Sequence, residues 1–509
     1  MGSTFAGLEI ARSALFAQQT ALYTTSNNIA NANTEGYTRQ RVNFEQISPY
    51  PAAGRNRPQV VGQQGTGVEA GSIERIRNSY LDAQYRSQTG TASYWNTKAE
   101  ALSRMEGIMN EPSDSGLSAV MDDFWSALQD LSATPEESGA RSVALQKGQA
   151  VAETFNYISN SLSQVRVDLK AQIDTIANND EDSRSLINSY LFQINELNKQ
   201  VADMEPHGMV TNDLYDRRDV LIDNLSKMFN IKVEYEESGG LAPTAAQGIA
   251  RITLVDEQGA TVLVDPDTKT FKEMSVQYGQ NENGMSVVQS ITFGDTPISV
   301  ENFTSKGELK GLIDSYGYIQ SGDVKGTYPE MMQKLDQMAF SFAEALNAVQ
   351  RDGHYKDGTP SEIDFFDHGG DEYGAAANLK LSTDIDGHPE LIAASKDGTS
   401  GNGENAKSLS EAMRDPKAGP DGTSVTNFYE GMIGTLGVNA QEANRQTKNS
   451  TSLVDQADLQ RQSVSSVSLD EEMTNMIKFQ HAYNAAARSM TAVDEMLDKI
   501  INNMGLVGR

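Results

Sequence analysis

The chain closes on LDEEMTNMIKFQHAYNAAARSMTAVDEMLDKIINNM, residues 469–504, and the spacing within this stretch sets the architecture. Leu469, Met476, Tyr483, Met490, Leu497 and Met504 recur every seven residues, and Phe479, Ala486, Val493 and Ile500 fill the companion position three residues on. An apolar seam kept in register for this long is the pattern of a helix that pairs with another helix. The opposite end of the chain answers it. Leu8, Leu15, Leu22 and Ile29 are again seven apart, with Ala11, Gln18 and Thr25 on the same seam. Both stripes are narrow, so the two terminal helices are expected to pair as a coiled coil. Such a pair is marginal by itself and reaches stable burial against neighbouring copies. The first helix stops at Asn31-Ala32-Asn33-Thr34-Glu35-Gly36, because Asn and Gly accept the left-handed backbone of a helix end and turn.

Charge follows the same division. The 509 residues carry a net charge of −29, which argues against nucleic acid, since phosphate binding needs clustered Lys and Arg. Residues 1–60 hold three acids and five bases, and residues 465–509 hold six acids and four bases. The two ends therefore cancel, and the whole excess lies between them. Near-neutral ends can be buried against other copies without self-repulsion, while an acidic middle stays solvated. The absence of cysteine excludes disulfides, thiol catalysis and thiolate metal sites. No apolar run is long enough to span a membrane. Glu9 and Arg12 interrupt the first segment, so it does not read as a secretory signal. Ala6 occupies the Ser/Thr position of a myristoylation motif. The expected location is the cytosol, or outside the cell by a route that leaves no cleaved signal.

Between the ends the periodicity remains helical. Val151, Phe155, Ile158, Leu162, Val165, Leu169, Ile173 and Ile176 alternate steps of four and three. Beyond a polar break at Asn178–Arg184, Ile187, Tyr190, Ile194, Leu197, Val201 and Met204 resume the pattern, and Pro206-His207-Gly208 closes the hairpin. Asp213–Met228 and the series Leu335, Met338, Phe342, Leu346 and Val349 give further helices, which together predict a bundle. Residues 231–305 read as short β-type runs such as Ile231–Tyr235, Ile252–Val255, Val262–Val264 and Val287–Phe293. After Tyr37, Pro49, Pro51, Gly54, Pro58 and Gly62 mark a loop-rich connector. The expected fold is mainly α, elongated and multidomain. Residues 1–64 with 455–509 form the terminal coiled-coil domain, and 65–230 with 306–351 and 426–454 form the central helical bundle. An outer small β domain is inserted at 231–305, and 352–425 is irregular with a few short strands. From Asn427 to Ser468 the chain is helical but polar, hence partly exposed.

Candidate chemical sites are weak. Asp265-Pro266-Asp267 resembles the start of a calcium loop, but Lys269 and Thr270 occupy positions where a ligand and glycine belong, so a turn is expected. Gly401-Asn402-Gly403-Glu404-Asn405-Ala406 fits a loose nucleotide-binding pattern without a preceding strand, and a flexible loop is expected. His354, His368 and His388 lack the short-range pairing of metal ligands. Asp364, Asp367 and Asp371 could serve hydrolysis, but a chain with 70 acids makes such clusters by chance. No catalytic residue, cofactor or metal is expected. The assembly interface is expected at Leu8, Leu15, Leu22, Ile29, Asn31, Asn33, Gly36 and Tyr37, and at Leu469, Met476, Phe479, Tyr483, Met490, Val493, Leu497 and Ile500.

The segment Ser26-Asn27-Asn28-Ile29-Ala30-Asn31-Ala32-Asn33-Thr34-Glu35-Gly36-Tyr37-Thr38-Arg39-Gln40 resembles the N-terminal signature of bacterial flagellar rod, hook and hook-associated proteins. Its Gly36–Gln40 portion looks like the version found in hook-associated proteins. Gly65-Thr66-Gly67-Val68 with Arg75, Tyr80, Leu81 and Arg86, then Asn212–Asp219 and Gly307–Leu312, fit the same family. So does the C-terminal run Ser468–Met473 with Phe479-Gln480 and Tyr483–Arg488. The resemblance implies a structural subunit of the flagellum rather than an enzyme, set as a ring of copies between hook and filament and adapting one helical lattice to the other. It implies contacts with the flagellar hook protein below and a second hook–filament junction protein above. It also implies type III export without a cleaved signal, and a cytosolic export chaperone at the C-terminal helix. Another axial protein, such as a hook or distal rod protein, stays open, as does a surface hydrolase displayed on a filament-like scaffold. If neighbours order the terminal helices, limited proteolysis of the purified monomer cuts within residues 1–30 and 475–509 first; full protection of both would refute that ordering.

Overall fold

The computed structural model describes residues 5–50, 65–111, 113, 116–256, 259–416 and 418–503; the heptad residue Met504 and Pro51, Gly54, Pro58 and Gly62 lie outside them. Helix α1 spans Ala6–Ala30 and stops at the Asn/Gly run, where Asn31 closes the last turn and Gly36 adopts φ +80°. Glycine is required there twice over. A side chain would be strained at that φ, and its Cβ would overlap the Val220 side chain. The stretch after Tyr37, expected as a connector, instead opens with strand β1, Gln40–Gln46, paired antiparallel with β2, Val68–Arg75. Of the β1 residues only Gln40 and Val42 are buried, so there is no hydrophobic alternation to read.

Helices α2 (Ser79–Met109), α3 (Leu117–Ala133), α4 (Ser138–Ala177), α5 (Leu186–Met204) and α6 (Asn212–Met228) follow. The four-and-three series beginning at Val151 is the buried face of α4, and Ile187, Ile194 and Val201 that of α5. Strands β3 (Ile231–Glu236), β4 (Ile249–Asp256), β5 (Gly259–Asp265) and β6 (Thr270–Phe271) form an antiparallel sheet in sequence order. Strands β7 (Met274–Gln280), β8 (Ser286–Phe293) and β9 (Thr296–Ser299) begin a second sheet. After α7 (Glu308–Tyr316), that sheet extends past residue 305 by taking in β10 (Tyr318–Gln320) and β11 (Asp323–Lys325). Helix α8 covers Thr327–Arg351. The irregular segment then carries β12 (Phe366–Asp367), α9 (Ala375–Asn378), β13 (Lys380–Leu381) and α10 (Glu404–Ala412). The last of these corrects the loop expected at Gly401–Ala406, because Glu404 opens a helix whose Ala406, Leu409 and Ala412 are buried. Two long helices finish the chain, α11 (Val425–Ser465) and α12 (Leu469–Asp498).

Helix α11 runs antiparallel to α2. Tyr429 donates to Glu111 at one end (3.2 Å), and the Arg461 guanidinium lies 3.9 Å over the Tyr85 ring at the other. The core is continuous from the helices into both sheets and the irregular segment. Its centre is a group of phenylalanines: Phe124 of α3, Phe155 of α4, Phe342 of α8, and Phe365 and Phe366 beyond it. Ring centroids within the group stand 4.8–6.4 Å apart, in tilted or edge-on contact, the geometry that aromatic quadrupoles favour.

Buried amides attach the irregular parts to the helices. Asn347 accepts from the Phe365 and Phe366 amides (2.9 Å each) and donates to the Phe366 carbonyl (2.8 Å). Gln350 joins the Leu391 carbonyl (2.9 Å) and the Ala393 amide (3.1 Å). Asn188 and Asn178 do the same for Met274 and Val276 on the outer edge of β7. Each side chain supplies one donor and one acceptor, as a neighbouring strand would, and so satisfies main-chain groups that burial would otherwise strand. Phe124→Ala should lower the free energy of unfolding by about 3–5 kcal/mol, read from urea denaturation; a loss under about 1 kcal/mol would show that the ring does not centre the core.

Candidate assembly interface

The first and last helices lie side by side and antiparallel, Asn28 beside Glu472 at one end and Gly7 against Val493 at the other. On α1 the buried line is Ala11, Ala17, Ala21, Thr24, Thr25 and Asn28. Small residues there let the helices approach closely but remove little apolar area from water. Leu8, Leu15, Leu22 and Ile29 flank this line and are only half-buried, so the expected leucine seam is the shoulder of the contact rather than its centre. On α12 the expected positions Met476, Phe479, Tyr483, Met490, Val493 and Leu497 face the pair and are half-buried, while Leu469 and Ile500 are exposed. Phe479 meets Phe44 of β1 edge-on at 6.0 Å. Among the described residues of α12, Glu472 is the one fully buried side chain.

That carboxylate anchors the pair. Glu472 accepts from Asn28 Nδ2 (3.0 Å) and from Arg39 Nε (2.8 Å), while Arg39 also reaches Glu471 (2.6 Å). Asn28 is fully used, since Nδ2 also donates to the Gln40 carbonyl (2.8 Å) and Oδ1 accepts from the Gln40 amide (3.0 Å) and the Tyr37 hydroxyl (2.8 Å). The Arg39 amide bonds the last carbonyl of α11, at Ser465 (3.0 Å), and its own carbonyl accepts from Ile76 (2.8 Å). Burial, with the acids Asp216, Asp213 and Glu472 nearby, holds the Tyr37 hydroxyl protonated far above its usual range, so it stays a donor. Of the remaining expected positions, Asn31 forms the helix cap, and Asn33 and Gly36 are exposed in the turn.

A second charged cluster joins this module to the bundle. Asp219 of α6 is buried among Arg75 (2.7 Å), Arg77 (2.8 Å) and Arg86 (3.5 Å), and accepts from the Tyr235 hydroxyl (3.1 Å). Asp216 pairs with Arg75 (2.7 Å) and Asp82 with Arg77 (2.6 Å), while Asp223 bridges Arg86 (2.7 Å) to Arg461 of α11 (2.6 Å). Burial alone would raise the Asp219 carboxyl, but Arg77, Arg75, Arg86 and Arg218 outweigh it and hold the group well below the usual carboxylate range. Asp216 has fewer cations around it, so burial wins and its carboxyl moves up.

Residues 102–366 match the helical-domain model of the flagellar hook-associated protein FlgK. Residues 8–38 match the flagella basal body rod protein model, and 459–504 the C-terminal model of the basal body rod proteins FlgEFG. Flagellar hook-associated protein 1 of Bacillus subtilis (strain 168) is 50% identical over 519 aligned residues, covering 100% of both chains. The chain belongs to the flagellar hook-associated protein 1 family. The Escherichia coli (strain K12) member is 24% identical over 97% of this chain and 98% of its own. A solved structure of the flagellar hook junction protein FlgK from Burkholderia pseudomallei shares the fold, with a TM-score of 0.60 at 15% identity over 75% of this chain and 100% of that one. Family membership makes this chain a structural, axial component of the flagellum at the hook–filament junction.

The two rod-type matches fall on α1 with its signature turn and on the end of α11 with α12, the halves that Glu472 ties together. The family signature thus has a physical content: Asn28 and Arg39 bind Glu471, Glu472 and Ser465, and Tyr37 and Gln40 hold Asn28 in place. Periodicity could not show this, because these residues are polar. The chemical candidates stay apart. Asp364 is paired with Arg351 (2.5 Å) and Asp367 with Lys380 (3.2 Å). Asp265 and Asp267 share Arg251 in a β-turn, and His368 and His388 each bond a glutamate at 3.1 Å. Among the described residues no group of His, Asp and Glu is placed to hold a metal, and no helix is long and apolar enough to cross a membrane.

Asp219→Asn leaves three buried guanidiniums with too little negative charge and should cost about 3–5 kcal/mol at neutral pH. Because the folded carboxyl is depressed, its contribution is complete above the unfolded value of about 3.9 and is lost as pH falls toward the folded value. The gap between native and variant stability should therefore narrow as the pH is lowered below about 4 in denaturant titrations; a constant gap would show that the charge is not what matters.

Proposed function

We propose that copies of this chain form a ring between hook and filament, in which the α1–α12 pair packs against the pairs of neighbouring copies and so adapts one helical lattice to the other. The observation that carries this reading is the incomplete burial of the pair. Over its 30 residues α12 buries one side chain, and Leu469, Met473, Ile477 and Met496 stay exposed beside the half-covered seam. Phe16 and Tyr23 of α1 are 61% and 75% exposed. Large apolar side chains left exposed on both paired helices fit an interaction face. The sixteen expected interface positions from Leu8 to Ile500 line this pair or its signature turn.

The same reading assigns the hook protein and a second junction protein as axial neighbours, and type III export without a cleaved signal as the route out of the cell. A cytosolic chaperone on the C-terminal helix fits the exposed stripe of α12, which free in the cytosol is an aggregation hazard. The acidic bundle and sheets project outward into solvent.

Deletion of the gene in its motile host should leave hooks without filaments and shed filament protein into the medium. The intact chain should restore filaments. Met473→Asp with Ile477→Asp should not, although both positions are exposed and the variant should unfold within about 0.5 kcal/mol of the native monomer. Filaments on the deletion strain would overturn the junction role, and filaments restored by the double variant would overturn the packing role of the stripe.

A further inference from the structure

Where the signature turn leans on the bundle, a groove of about 750 Å³ opens between the end of α1, α5 and α6. Its floor is apolar, from Phe192, Leu197, Val220 and Leu221, all half-buried. Its rim is acidic, with Glu35, Glu196, Asp213 and Asp216 set against Arg217, the one cation among the lining residues. Lys199 neutralises Glu196 (2.7 Å) and Arg75 neutralises Asp216 (2.7 Å). Glu35 and Asp213 stand exposed, and Asp213 contributes to the negative field that keeps the Tyr37 hydroxyl protonated.

The face of matching chemistry is on α12. Residues 473–493 hold no acid, in a chain with 70 of them. Met473, Ile477, Lys478 and Arg488 are exposed along this stretch, on the side that α1 leaves open, while Met476, Phe479, Tyr483 and Met490 form the half-buried seam. Met473 and Ile477 are one turn apart, and Lys478 beside them has no acid within a helical turn to pair with. An apolar pair flanked by a free positive charge complements an apolar floor under an acidic rim.

Face and groove stand at one level of the terminal module. Asn28 meets Glu472 there at 3.0 Å. Asn27 and Asn31 of the groove wall lie within one turn of Asn28. Met473 and Ile477 lie within roughly 8 Å of Glu472 along the axis of α12, at 1.5 Å per residue. Among the described residues none from α12 lines the groove, so within one molecule the two surfaces do not meet.

We infer that the exposed face of α12 in one copy docks in the groove between the signature turn and α5–α6 of the next, with Met473 and Ile477 on the apolar floor and Lys478 toward Glu35 and Asp213. The two surfaces are different and share a level, so copies standing side by side engage without an axial shift. Such a heterologous contact repeats from copy to copy and closes a ring when the rotation permits. The inference rests on the ring proposed above and names one of its contacts.

A chain without cysteine lets the contact be tested by introduced pairs. Ile477→Cys is combined with Gln193→Cys or, separately, with Gln200→Cys, both exposed on the groove wall. The full chain is assembled in flagella, oxidised, and run on a denaturing gel without reductant. Should Ile477→Cys block assembly, Lys478→Cys takes its place in the same pairs. The expected result is a ladder of dimers and higher multiples from at least one pair, absent from each single variant. No disulfide from either pair, or one that closes within a single chain, would overturn the docking. So would a dimer from the α12 cysteine alone, since it sets two such faces against each other. Glutaraldehyde treatment of the unaltered chain in the same flagella separates the two ideas. Multimers of the chain there without the cysteine ladder would retain the ring and remove this contact, and monomers alone would remove both.

Discussion

Glu472 is a carboxylate buried at the crossing of the chain's first and last helices, and the terminal module depends on it. A charge in that position is tolerable only when it is paired and fully hydrogen-bonded. The partners are Asn28 and Arg39, both from the segment that leaves α1, and they are held in turn by Tyr37, Gln40 and the end of α11. The apolar seam of the pair is thin, so the polar contact decides where along each other the two helices stop. Hydrophobic contact between an alanine line and a half-covered stripe is tolerant of sliding, whereas a buried ion with two aligned partners is not.

The same division of labour recurs through the molecule. Apolar side chains supply the free energy in the phenylalanine centre of the bundle, and buried polar groups supply the registration. Asn178 and Asn188 hold the edge of β7 where no further strand exists, and Asn347 and Gln350 hold a segment with almost no regular structure of its own. The Asp219 cluster registers four elements at once, bringing α2, α6 and α11 to the end of β2.

What could be read from the sequence follows from this. Helices α4, α5 and α8 were legible because their buried faces carry Ile, Leu, Val, Met and Phe at helical spacing, whereas the buried face of α6 mixes Ile222 and Leu225 with Asp216, Arg218 and Asp219. The buried face of α2 includes Asp82, Arg86, Thr89 and Gly90, which carry no hydrophobic period; Arg86 stood out through family resemblance alone. The β1–β2 hairpin was hidden for the same reason. In α1 the leucines announced a helix with a narrow stripe, but the buried line ran through neighbouring alanines and threonines, because close approach to α12 favours small side chains over large ones. The heptad of α12 pointed to the correct face. Nothing in it distinguished a seam covered by one partner helix from one still half open.

The crossing of Asn28 and Glu472 joins residues 444 positions apart. Closing a loop of that length costs chain entropy, which falls once the intervening bundle has folded and shortened the span. The terminal module therefore acts as a clasp whose two halves are brought together by the domains between them.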